Sequence, residues 1–148
     1  MKSLSVKLGV ILIGLLIFVI GCPKTTLRNE PTKGADWKFY GGSDNYLGCY
    51  DTQSITRPSK NIVRVWVRQY YTEKGVIDYV GGLGKKYENL SHTKIVLEID
   101  CAEKTIHNLS FTDYDNKGRA IYSDSSPSKW IFIPPKTVAE GLYEEVCK

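Results

Sequence analysis

The residues of this chain that could do chemistry are its cysteines, its two histidines and one alternation of arginine with aromatic side chains. His92 and His107 stand at no spacing from each other, from the cysteines or from the acids that resembles a zinc site. No serine lies in a G-x-S-x-G setting that would offer a nucleophile to a base. Gly81, Gly82 and Gly84 lack the following Lys-Ser/Thr pair of a phosphate loop. The expectation is therefore no metal, no cofactor and no enzyme. Cysteine is more informative, because each of Cys22, Cys49, Cys101 and Cys147 falls in a different local context.

Cys22 closes a leader. Residues 1–21 open with Lys2 and Lys7, run apolar from Leu8 to Ile20 and end in Val19-Ile20-Gly21-Cys22. A basic start, an apolar stretch and a small residue at the cut make a secretory signal. The apolar run of about 13 residues is short of the roughly 20 that span a bilayer. The V-I-G-C tetrapeptide resembles the bacterial lipobox, which implies that Cys22 is the mature N-terminus and carries the acyl anchor to the membrane. An ordinary secreted chain or an uncleaved anchor are the competing readings. Attached acyl chains bind at about 0.8 kcal/mol per buried CH₂. Export permits disulfides. With Cys22 consumed by lipid, Cys49, Cys101 and Cys147 give one bridge and one unpaired thiol.

The Arg–aromatic alternation lies on a strand expected over residues 62–72. Val63, Val65 and Val67 form its core side, and Arg64, Trp66, Arg68 and Tyr70 its other side. Arginine and large aromatics make cation–π contacts and are enriched at binding hot spots. The same pattern also arises from cross-strand stacking with guanidinium heads in water. These four residues are the candidate binding face, with packing as the competing reading. Losing the leader lowers the formal charge from +4 to +2, too little to argue for nucleic acid.

The elements that must position these residues can be read along the chain. Residues 22–36 are polar, hold two prolines and read as a flexible tether, against the alternative of an arm packed on the domain. Strands are expected at 37–40, 46–50 and 62–72, with a turn at Arg57–Asn61. A tight turn at Glu73-Lys74-Gly75 and a strand near 76–80 are expected next, with a short irregular or helical piece at 85–90. Thr93–Cys101 alternates Ile95, Leu97, Ile99 and Cys101 with polar residues, the pattern of a half-buried strand. Further strands follow at 105–112, 119–123 and 130–133. Thr137-Val138-Ala139-Glu140 matches a capping box, and Val138, Leu142 and Val146 share one face of the helix it starts. Cys101 on the core side of its strand and Cys147 on the sheet side of this helix are plausible partners. Pairings through Cys49 are the alternative. A Cys101–Cys147 bridge would stabilise by about 4 kcal/mol on a loop-entropy estimate.

The order of landmarks resembles the surface-adhesin protein E family of bacterial lipoproteins. They are Trp37, Y-D-T-Q-S-I at 50–55, V-R-V-W-V-R at 63–68, L-E-I-D-C at 97–101, Y-D-N-K-G at 114–118 and the W-I-F-I-P-P-K-T-V-A-E-G-L-Y-E-E-V-C run at 130–147. The resemblance covers residues 37–147. It implies an α+β fold: an antiparallel sheet of about six strands, with a C-terminal helix disulfide-tied to the concave face through Cys101 and Cys147. The family's type member binds host matrix proteins, so an extracellular protein ligand is implied, although no ligand-contacting residue can be matched here. Cys49 is a departure from the family and is expected to stay unpaired within the chain, as a free thiol or in an intermolecular bridge.

The chain thus reads as an exported, lipid-anchored envelope protein, on the outer membrane and at the cell surface, acting as a non-enzymatic binding module. The competing function is a periplasm-facing structural or assembly lipoprotein, and an envelope enzyme comes third. An open sheet edge also leaves pairing into a homodimer available.

Overall fold

The computed structural model describes residues 21–23 and 34–148. The expected leader, apart from Gly21, and most of the expected tether lie outside the described residues. Eight strands and two helices follow in chain order: β1 (Trp37–Gly42), β2 (Tyr46–Asp51), β3 (Thr56–Ser59), β4 (Ile62–Tyr71), α1 (Glu73–Leu83), β5 (Leu90–Asp100), β6 (Thr105–Asp115), β7 (Ala120–Asp124), β8 (Ile131–Phe132) and α2 (Val138–Val146). The six main strands lie in the order β1-β2-β4-β5-β6-β7, with β3 against β4 and β8 against β6. Every pairing is antiparallel. The fold is α+β, as the resemblance implies.

Register explains the core. Val63, Val65 and Val67 of β4 stand opposite Ile99, Leu97 and Ile95 of β5. All three valines and Ile99 are fully buried, because α2 lays Leu142 and Val146 over them. The helix starts on a variant of the capping box, in which Glu140 reaches one residue past the cap. Thr137 Oγ1 accepts from the Glu140 N–H at 3.2 Å, and the Glu140 carboxylate reaches back to the Lys136 N–H and also receives Lys104. Nine residues are fewer than the dozen or so a helix needs to persist alone in water, so α2 depends on what it packs against.

One of its attachments is ionic. Glu145 accepts from Lys38 Nζ at 2.6 Å and from the Tyr50 hydroxyl at 3.0 Å. The lysine, and after it the tyrosine, holds the Glu145 carboxyl down at about 2, against an ordinary 4.5. A folded value below the unfolded one means that this contribution is whole above the ordinary value and is lost as pH falls toward the folded one. Glu145→Gln is therefore expected to lower the thermal midpoint at neutral pH and to leave it nearly unchanged near the acid limit. Circular-dichroism melts at the two pH values check this, and an equal drop at both would assign the effect to packing.

Two segments differ from the sequence expectation. Residues 73–83, expected as a turn and then a strand, form the helix α1. Thr72 caps it by accepting from the Gly75 N–H at 3.1 Å, and it ends at Gly84, whose φ of +96° suits glycine. Val76, Tyr79 and Val80 are its half-buried residues, at helical spacing. The other difference is β3, a four-residue strand where a turn was expected. Its register slips between Thr56 and Ser59, which lets Pro58 sit there without breaking a ladder.

Candidate functional site

Helices α1 and α2 occupy one face of the sheet, leaving the even positions of β4 on the other, open face. Arg68 stands opposite Cys49 on one side and Lys94 on the other, and Lys94 stands opposite Thr112. Phe39, opposite Cys49, extends this row to β1. Pairing alone thus assembles side chains from five strands into one line.

The four residues expected to form a binding stripe divide into two pairs. Arg64 and Trp66 are exposed, Trp66 to 45 %. Arg68 and Tyr70 are buried, at 4 % and 9 %, so the stripe is not exposed along its whole length. Trp37 of β1 covers the Arg68 guanidinium, its ring centroid 4.3 Å away. Arg68 also donates to the Tyr70 hydroxyl at 3.4 Å, and Tyr70 leads through His92 to Tyr114 with ring centroids 5.7 and 5.0 Å apart. Lys94 lies 5.5 Å from the Tyr114 ring.

Beside these groups the open face holds a basin of about 680 Å³. Its lining includes Trp37, Asp51, Gln53, Trp66, Arg68, Lys94, Thr112 and Tyr114. Sequence reasoning found Trp66 and Arg68 and missed the rest. The signal for Lys94 was available, since it alternates with Ile95 on the polar side of its strand. Trp37 and Tyr114 need the sheet order to bring them close.

Arg64 is held to a different group. It donates through Nε and Nη2 to Glu98 Oε1 at 3.0 and 2.7 Å. Glu98 Oε2 and the Ser128 carbonyl flank the two ring nitrogens of His107 at 3.0 and 3.1 Å. Burial raises the Glu98 carboxyl, but the His107 and Arg64 hydrogen bonds outweigh it and hold the group below its ordinary value. Trp130 stacks on His107 with centroids 3.9 Å apart.

The helix face carries a second concavity, about 570 Å³, with Tyr40, Tyr46, Tyr71 and Tyr79 among its walls and Ile95, Leu97 and Ile106 among its apolar lining. Two of these tyrosines, Tyr71 and Tyr79, bond to each other. The Tyr71 hydroxyl lies 3.1 Å from both the Tyr79 hydroxyl and Thr93 Oγ1, and Thr93 donates to the buried Asp113. Burial pushes the Asp113 carboxyl up despite the Thr93 and Tyr87 hydrogen bonds. Among the described residues no group of three or more His, Cys, Asp or Glu is placed to hold a metal ion.

Two disulfides complete the picture. Cys101–Cys147 joins the end of β5 to the end of α2 with Cα atoms 5.5 Å apart. Cys22–Cys49 is the second, with Cα atoms 6.1 Å apart. Cys49, expected to stay unpaired, is thus paired. Its side chain lies fully buried on the open face, and residues 34–36 bring the chain back beside β2. There Asp36 donates through its N–H to Asp51 Oδ1 at 2.9 Å and accepts from the Thr52 hydroxyl at 2.9 Å. The Cys22 sulfur can form a disulfide or the expected thioether to lipid, but not both.

An antiparallel sheet braced on one side by a disulfide-tied terminal helix, with an aromatic and cationic basin on the other, defines a small sheet–helix module. The chain belongs to the surface-adhesin protein E family, whose family model matches residues 37–148. Among solved structures it is similar to crystal form II of Haemophilus influenzae protein E. That likeness has a TM-score of 0.53 at 16 % identity, covering 85 % of this chain and 96 % of that one. At that identity the likeness speaks to the fold. No curated protein matches the chain.

Proposed function

We propose that this protein is a lipid-anchored, non-enzymatic binding module of the bacterial envelope that presents the open face of its sheet to extracellular protein ligands. The observation that carries the reading is family membership across the folded domain. The open face supports it, because the exposed Trp66 indole, with Trp37 and Tyr114 in the same basin, is the composition of an interface anchor. Acylation of Cys22 supplies the membrane attachment, and in that form Cys49 is a thiol without its Cys22 partner.

Protease treatment of intact cells, followed by fractionation, tests the reading. The wild-type domain is expected to pellet with membranes and to be removed by external protease. Cys22→Ser is expected to move it almost wholly to the soluble fraction. A membrane-bound domain that protease spares would instead mark a periplasm-facing structural or assembly lipoprotein.

A further inference from the structure

We infer that the sheet margin at β8 rests on an anionic lipid surface, with Trp130, Ile131 and Phe132 at the level of the headgroups. This builds on the reading of Cys22 as the lipid anchor and adds a second, weaker contact between domain and bilayer. The three residues are consecutive and exposed, to 43 %, 63 % and 60 %. A slack chain does not explain this. Ile133, the next residue, is fully buried, and its N–H donates to the Lys104 carbonyl at 3.0 Å. β8 is paired with β6, and the Trp130 ring stacks on His107. The backbone thus places Ile133 in the core and holds the three residues before it outside. Indoles settle at the boundary of lipid and water, with aliphatic and phenyl groups just below. Lys129 and Lys136 bracket the run, both exposed, and residues 125–139 hold no acid. Glu140, the first acid after them, is engaged by the Lys136 N–H and by Lys104 Nζ. A lysine on each side of an apolar run suits the phosphates of an anionic bilayer.

Other occupants fit less well. A protein strand would add to the sheet edge, and β8 offers two residues for that. A small soluble ligand needs a recess, and of the three residues only Ile131 borders the helix-face concavity. A second copy of this chain, meeting the same patch, would bring the bracketing lysines of both copies together. Three apolar side chains make a weak contact for a free protein, but the anchor changes the balance. The stretch 22–36 extends to about 50 Å at most, so it holds the domain at a high effective concentration near the surface. Among the described residues no helix is long and apolar enough to cross a membrane, and the contact is a superficial one. Resting on this margin stands the sheet on edge, which leaves its open face accessible.

Tryptophan quenching tests the inference on the protein purified in detergent from its membrane. It is reconstituted into phosphatidylethanolamine–phosphatidylglycerol vesicles with and without brominated acyl chains. Bromine is expected to quench part of the emission, and Trp130→Phe to abolish that part while Trp66→Phe leaves it. Ile131→Ser with Phe132→Ser should cut the quenching of Trp130 by roughly twofold or more, because the apolar area that holds the margin down is gone. Ile77→Ser removes an isoleucine of equal exposure, 63 %, from α1 and is expected to change nothing. Lys129→Gln with Lys136→Gln should weaken the quenching in these vesicles and have no effect in phosphatidylcholine alone. Quenching that survives Trp130→Phe, or that falls equally with Ile77→Ser, would overturn the inference. So would an unquenched Trp130 in a protein whose self-association is lost with the paired serine substitutions, since a second copy would then be the occupant. Intact mass of the same sample reports the acyl chains, so a failed anchor is read apart from a failed contact. An unquenched Trp130 in a domain that external protease removes from cells sinks the lipid contact and leaves the adhesin, whereas a domain spared by protease sinks the adhesin itself.

Discussion

Replacing Cys101 and Cys147 together by alanine, in a Cys22→Ser chain that has no other bridge, is expected to cost about 4 kcal/mol of unfolding free energy. The cysteines lie 46 positions apart, and the cost is the loop-closure entropy returned to the unfolded chain. The effect should be concentrated at α2. That helix is too short to persist alone, and its docking rests on Leu142, Val146 and the Tyr143 hydroxyl, which donates to the Cys101 carbonyl at 3.2 Å. The bridge closes right beside that contact. Urea unfolding gives the number, and limited proteolysis gives the location, with cleavage expected near residues 134–148. Reducing the Cys22→Ser parent should reproduce both results. A loss below about 1 kcal/mol would mean that packing alone holds the helix and that the bridge constrains little.

Gly141→Ala should destabilise by a comparable mechanism from the opposite side, through crowding instead of loosening. A Cβ at Gly141 would lie 2.4 Å from the Tyr40 carbonyl oxygen, a backbone atom that cannot swing away. Either β1 or α2 must retreat, and overpacking of this kind costs about 1–3 kcal/mol and at times more. The gain from replacing a helical glycine, up to about 1 kcal/mol, offsets only part of it. Gly81→Ala is the matched control. Gly81 also lies inside a helix, but nothing stands within 4 Å of its Cβ position. Only the propensity gain applies there, and the change is expected to stabilise by about 0.5–1 kcal/mol. Thermal melts of the two variants should therefore move in opposite directions. A destabilised Gly81→Ala would mean that α1 needs its glycine flexibility.

The sequence revealed the fold wherever one local rule acted alone. Period-two alternation placed β4 and β5, and the capping box placed α2 within a residue. Helix α1 was hidden because Gly75, Gly81 and Gly82 depress helix propensity across its length. Gly75 is there for a tertiary reason, since a Cβ would meet the Asn45 carbonyl at 2.0 Å. The candidate site was half legible for a similar reason. Alternation put Arg68 and Tyr70 on the same side as Trp66, but their neighbours, Trp37 over Arg68 and His92 beside Tyr70, come from other strands and are set by the sheet order. The Cys22–Cys49 bridge was not foreseen because assigning Cys22 to lipid removed that partner of Cys49 from consideration.

The sheet also has an unusual margin beyond β6. Two short strands share it in succession, β7 against residues 111–114 and β8 against residues 105–106. Pro127 lies between them, and Pro134 and Pro135 follow. The opposite margin, β1, carries a register shift between Phe39 and Gly41, where Val138 of α2 presses close. Neither border offers a long, flat row of free backbone groups onto which a neighbouring copy could zip. Broken or bulged edges of this kind guard β-proteins against fibrillar stacking. The domain can therefore keep hydrophobic residues such as Ile131 and Phe132 in the open, at 63 % and 60 % exposure, without seeding a cross-β assembly even at high local concentration.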